Sequence, residues 1–265
     1  GDICSDDVWI QRTEGERTNC MHAVGHLLMY ITDANIERSV YICEEIGMTP
    51  DNIDMRRMCF EGAFMQIYQP LEPDDFALIE GKAPKTLVER DALCERFSGR
   101  AKTSCVKESW PMEPESIQDG TRVAPFCKKA GHGDEAEEEY CISAVSYIGA
   151  ARSQFNAGTF AAFCEEVEGR WAGACLMYGA PRFLEIHQTN FEPTISLCRK
   201  AEARGSGEAC WRLVANYSTR TFKAHSREAL ALCAALPREW RDSCIEVQDT
   251  GSLEFTGTLG RPLNP

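Results

Sequence analysis

Fourteen cysteines in a chain of 265 residues decide most of what this sequence can fold into. They stand at Cys4, Cys20, Cys43, Cys59, Cys94, Cys105, Cys127, Cys141, Cys164, Cys175, Cys198, Cys210, Cys233 and Cys244, and taken two at a time they are 16, 16, 11, 14, 11, 12 and 11 residues apart. None is left over. No Cys-x-x-Cys occurs, which speaks against a thioredoxin-like redox motif, a zinc ribbon and covalent haem attachment. An even count at regular spacing reads as seven local disulfides: Cys4–Cys20, Cys43–Cys59, Cys94–Cys105, Cys127–Cys141, Cys164–Cys175, Cys198–Cys210 and Cys233–Cys244. Such a set implies an oxidising compartment, periplasmic or extracellular. Bound metal clusters are the competing reading, and pairing between neighbouring hairpins would change the connectivity without changing the architecture.

The first cysteines of the pairs, from Cys4 to Cys233, advance in steps of 39, 51, 33, 37, 34 and 35 residues. A period in the middle thirties is the length of an αα-hairpin, a unit that stacks into solenoids. The local text agrees, because each first cysteine ends an apolar-periodic stretch and a short polar segment precedes the second. After Cys20, the residues Ala23, Val24, Leu27, Leu28 and Ile31 recur on one face of a 3.6-residue helix, and Ala144, Val145 and Ile148 repeat the register after Cys141. The expected fold is all-α, an array of about seven disulfide-clipped αα-hairpins in an α-solenoid-like arrangement. Closing a loop of this length restrains the unfolded chain by roughly 3 kcal/mol per bridge in the loop-entropy model.

The segments "FCEEVEGRWAGAC", "LCRKAEARGSGEAC" and "LCAALPREWRDSC" show the clip most clearly. From Cys94 to Cys244 the chain resembles the secreted cysteine-rich Sel1-like repeat proteins, whose α-hairpins are also held by one disulfide per repeat. That resemblance implies a binding surface and, in some members, enzyme inhibition or host contact. It assigns no functional residue.

Two stretches rich in proline and acids, Pro70 to Thr86 and Trp110 to Phe126, interrupt the rhythm and are expected to be loops. The expected organisation is N-terminal hairpins over 1–69, an irregular linker and helix over 70–93, hairpin repeats over 94–249 and an extended tail over 250–265. The acidic run before Cys141 suits a helix start. No signal peptide opens the sequence, so an exported chain is expected here in mature form. No stretch is long and apolar enough to span a bilayer, and a net charge of −13 disfavours phosphate-driven binding of nucleic acid.

The sharpest local feature is "CMHAVGHLLMY", where His22 and His26 lie four residues apart on one helical face. They lie opposite the apolar stripe. The same offsets from Cys59 give Glu61 and Met65, so side-by-side second helices would bring four metal-ligating side chains together, with Zn or Cu as the ion. A histidine pair that merely packs two helices through hydrogen bonds is the plainer reading. Ala23 in place of glutamate excludes the metalloprotease His-Glu-x-x-His pattern. Down the later repeats these offsets fall on Lys107 and Pro111, Ser143 and Tyr147, Met177 and Pro181, then Arg212 and Asn216. Variation over a constant scaffold suits a recognition face, here Lys107, Ser143, Tyr147, Met177, Arg212 and Asn216, although a solvated face also varies. Trp110, Trp171, Trp211 and Trp240 lie close to cysteines and are expected in the core around the disulfides. No nucleophile elbow or phosphate loop occurs. The expected function is an exported scaffold that binds a protein partner or assembly, more in keeping with the residues than an enzyme; the alternatives are transition-metal binding and an enzyme of unassigned reaction.

Overall fold

In a computed structural model of the chain, Cys4 and residues 14–46 and 54–251 are described. Fifteen α-helices account for most of them, and no strand is formed among the described residues. In chain order they are α1 Glu14–Ile31, α2 Ile36–Ile46, α3 Arg56–Tyr68, α4 Pro73–Ile79, α5 Leu87–Cys94, α6 Gly99–Glu108, α7 Glu115–Gln118 and α8 Gly120–Gly131, followed by α9 Glu135–Arg152, α10 Ala157–Glu165, α11 Trp171–Ile186, α12 Glu192–Glu202, α13 Gly207–Thr221, α14 Arg227–Ala235 and α15 Arg238–Thr250.

Six disulfides each clip one helix to the next: Cys43 on α2 to Cys59 on α3, Cys94 to Cys105, Cys127 to Cys141, Cys164 to Cys175, Cys198 to Cys210 and Cys233 to Cys244. The seventh ties Cys4 to Cys20 on α1, and the first helix expected for that hairpin lies outside the described residues. All the cysteines but the half-buried Cys20 are buried, so the bridges run through the core. The second cysteine does not open its helix. Cys20 and Cys141 each lie about two turns in, which centres the clip on the helix it holds.

Capping residues set the helix starts. Asp134 accepts from the amides of Ala136 and Glu137 at 2.9 and 3.3 Å, and Glu135, Glu137 and Glu138 fill the first turn of α9, as the acidic run implies. Thr86 and Glu89 close a capping box at α5, and Asn156 caps α10. Gly169 and Gly205 sit in the turns inside their hairpins with φ of 65° and 80°, and nothing lies near a built Cβ. Their need is conformational.

The chain divides into two compact units. Of the described residues, the first takes those up to Pro114 with Lys129–His132, and the second comprises Glu115–Lys128 and the residues from Gly133 to Gly251. The hairpin of Cys94 and Cys105 falls in the first unit. Both expected loops carry helix: α4 lies in the first, and a 3-10 turn at Trp110–Met112 with α7 and the start of α8 in the second. The tail beyond Gly251 lies outside the described residues.

Within each unit the second helices of successive hairpins pack side by side: α1 on α3 and α3 on α6 in the first, α9, α11, α13 and α15 in the second. In the first unit the Arg90 guanidinium is fully buried, bonded to Ser109 at 2.9 Å and paired with Asp91 and Glu113. In the second unit Phe160, Phe183 and Trp211 are buried outright, whereas Trp171 and Trp240 are half-buried, as is Trp110 in the first. Only one of the four tryptophans expected in the core is there. Arg170 covers the Trp171 ring at 4.2 Å and Arg212 approaches Trp240, because wide rings at helix ends find cations more readily than core.

Glycines make a close helix crossing between α1 and α3. A Cβ on Gly25 of α1 would lie 2.1 Å from the Cys59 carbonyl oxygen, and one on Gly62 of α3 would lie 2.0 Å from that of His22. The two backbones are in contact there. Gly62→Ala should lower the chemical-denaturation stability by about 2 kcal/mol through overpacking. Gly158→Ala in α10, where the nearest atom is a side-chain oxygen at 3.3 Å, should leave it unchanged or raised. Equal effects of the two would dismiss the crossing. Non-reducing peptide mapping should recover Cys164 joined to Cys175.

Candidate functional site

The glycine crossing places α1 over α3 so closely that short side chains reach across. His26 and His22, on successive turns of α1, face each other with their Nε2 atoms 3.2 Å apart. On its other side, the Nδ1 of His26 lies 2.7 Å from Oε1 of Gln66 on α3. The buried Gln66 amide is itself oriented, since its nitrogen donates to the Asp75 carboxylate on α4 at 2.6 Å. A carboxylate only accepts, so Oε1 must be the end that accepts, and His26 is the tautomer with hydrogen on Nδ1. In that tautomer the neutral ring presents its Nε2 lone pair toward His22.

Asp75 also accepts from the Tyr30 hydroxyl and from the backbone amides of Leu71 and Glu72 at 3.1 and 3.0 Å. These bonds, that of Tyr30 foremost, hold its carboxyl at about 2. Burial first, and then the adjacent His26, hold His22 at about 4, so it is neutral around pH 7.

Next to the imidazoles lies a buried ionic group. Lys107 of α6 places its ammonium 2.5 Å from Glu61 of α3 and 2.8 Å from Glu108, and Gln69 donates to the other oxygen of Glu108 at 2.8 Å. The offset two residues beyond the second cysteine thus does line up across three hairpins, as His22, Glu61 and Lys107. The expected metal quartet is only partly assembled. His22 and His26 converge, but Glu61 is engaged by Lys107, and Met65 is half-buried one turn farther along α3. Among the described residues no three His, Cys, Asp or Glu side chains stand where they could share an ion. Gln66, beside Met65 in sequence, makes the contact instead.

The expected recognition face is also rearranged. Lys107 and Met177 are buried, the former in its ion pairs, and Ser143, Arg212 and Asn216 are half-buried. Only Tyr147 stands in solvent, at 49% exposure. Its neighbours in the second unit come from a position that the offsets missed by one. Arg182 of α11 lies over the Tyr147 ring of α9 at 4.3 Å and within 5.8 Å of Tyr217 of α13, whose ring also meets Arg220 at 5.2 Å. Glu185 accepts from Arg182 at 2.9 Å, which fixes the guanidinium in place. Deeper in the same unit, Tyr178 donates to Glu139 at 2.6 Å, and burial pushes both groups above their ordinary values.

The sequence stripe on α1 is corrected as well. Val24 and Leu28 are buried with Met21 and Met29, but Ala23 is exposed and Leu27 and Ile31 are 51% and 68% exposed. Gly25, which carries no hydrophobic signal, marks the true contact line. No family of known proteins, no curated protein and no solved structure matches the chain. The Sel1-like resemblance therefore gains no support beyond the clipped hairpin.

Two carboxylates share one ammonium in the ionic group. Burial, and secondarily the Glu61 charge, hold the Glu108 carboxyl above its ordinary value against the pull of Lys107. A folded chain that keeps this proton to higher pH than the unfolded chain loses stability as pH rises through the folded value. Wild type should accordingly gain stability on Glu108→Gln as pH falls from 7 toward 4.5, read as the difference in denaturation midpoints. A difference that does not change with pH would remove the strain assigned to Glu108.

Proposed function

We propose that the chain is an exported scaffold, periplasmic or extracellular, that binds a protein partner along the second-helix face of its second unit. Seven disulfides mark a protein of an oxidising compartment. Among the described residues no helix is long and apolar enough to cross a membrane. The acidic balance of the chain favours proteins over nucleic acid as partners.

The observation that carries this reading is the row of Tyr147, Arg182 and Tyr217 on three successive second helices. Tyrosine and arginine are the residue types that dominate interface energetics. Here they are held before any partner arrives. The clipped helices fix the backbone, the stacking fixes the guanidinium, and the Glu185 pair restrains its rotation. Preorganisation of this kind lowers the ordering cost of association.

Affinity capture from an exported fraction, with wild type and the Tyr147→Ala/Arg182→Ala double variant compared at matched folding, tests the face. A partner retained by wild type should be lost at least tenfold by the variant, as expected for removal of more than about 1.4 kcal/mol of contact. Equal retention by both would put the binding surface elsewhere and overturn the assignment.

A further inference from the structure

We infer that His22 and His26 form a two-imidazole binding site for a divalent transition-metal ion of the zinc class, independent of the partner face. The inference rests on one distance and on the bracing of one ring. The Nε2 atoms are 3.2 Å apart. Two imidazole nitrogens bonded to one zinc at about 2 Å, with a tetrahedral angle between the bonds, stand about 3.3 Å apart, which the observed pair matches.

The surroundings match that use. Metal-bound imidazoles characteristically donate their other nitrogen to an amide, carbonyl or carboxylate that orients the ring. His26 does so to Gln66, which is braced in turn by Asp75. The His22 ring needs only its hydrogen on Nδ1 to present the second lone pair. With two protein ligands the remaining coordination positions fall to water, and both half-buried rings leave room for it. Such a site exchanges its ion more readily than a closed four-ligand one.

The test uses the full, tag-free chain, stripped of metal by a chelator and checked by circular dichroism. Zn²⁺ is titrated against a chromophoric competitor. One equivalent should bind, and His22→Ala and His26→Ala should each lower the affinity tenfold or more, while His225→Ala leaves it unchanged. Gln66→Leu, which removes the brace and no ligand, should weaken binding by roughly tenfold to a hundredfold. In the unaltered protein, long-range ¹H–¹⁵N spectra should show Zn²⁺ moving the Nε2 resonances of His22 and His26 but not those of His187 or His225. Failure of wild type to bind, equal affinity in a folded His22→Ala/His26→Ala variant, or Zn²⁺ shifts confined to other histidines would each overturn the site. None of these outcomes bears on Tyr147 and Arg182, so the two proposals fail separately.

Discussion

The disulfide across each hairpin is the constraint from which the rest follows. A helical hairpin of this size buries too little apolar surface to hold its two helices in register against chain entropy. A covalent tie from the end of the first helix to a point well inside the second removes much of that entropy from the unfolded chain. It also fixes which face of the second helix looks outward from the hairpin. Once that face is set in one hairpin, the next can pack its own second helix alongside, as α3 does on α1, α11 on α9 and α13 on α11. Side-chain chemistry on these helices is then read across the array as much as along it.

Reading across explains why polar residues could enter the core of the first unit. Glu61, Lys107 and Glu108 are all buried. An isolated charge at such a depth would cost several kcal/mol. Here each meets a partner from a neighbouring second helix or from its own turn, within hydrogen-bonding distance. One ammonium faces two carboxylates, and burial holds the Glu108 carboxyl above its ordinary value.

The architecture was legible in the sequence because the signal was covalent. Cysteine spacing survives any error in judging helix faces, and the six fully described clips need nothing more than intervals of 11 to 16 residues. The histidine pair was legible too, since residues four apart on a helix project together. What surrounds it was not. Gln66, Asp75 and Tyr30 join the pair through an amide orientation and a crossing between helices forty residues apart, and nothing in their spacing announces either. The stripe on α1 was misjudged because hydrophobicity was counted and contact was set by Gly25, which has no side chain to count. In the second unit, the side chains gathered around Tyr147 stand one residue past its offset, at Arg182 and Tyr217.

Chemistry gathers in the first pair of second helices for a reason visible in the same offsets. Five residues beyond the second cysteine lies Gly25 in α1, but Phe64, Trp110, Ser146, Ala180, Ala215 and Asp249 in the later hairpins. Three residues beyond lies Gly62 in α3, where other repeats carry Ala23, Glu108, Ala144, Tyr178 and Leu213. Glycine faces backbone at both points of the crossing where α1 meets α3, and the main chains touch there. Without a side chain at either point the backbones close up, and an imidazole and a glutamine meet across the crossing. The site in the first unit is thus created by absence of side chain, on a scaffold whose repeat would otherwise produce one more apolar seam.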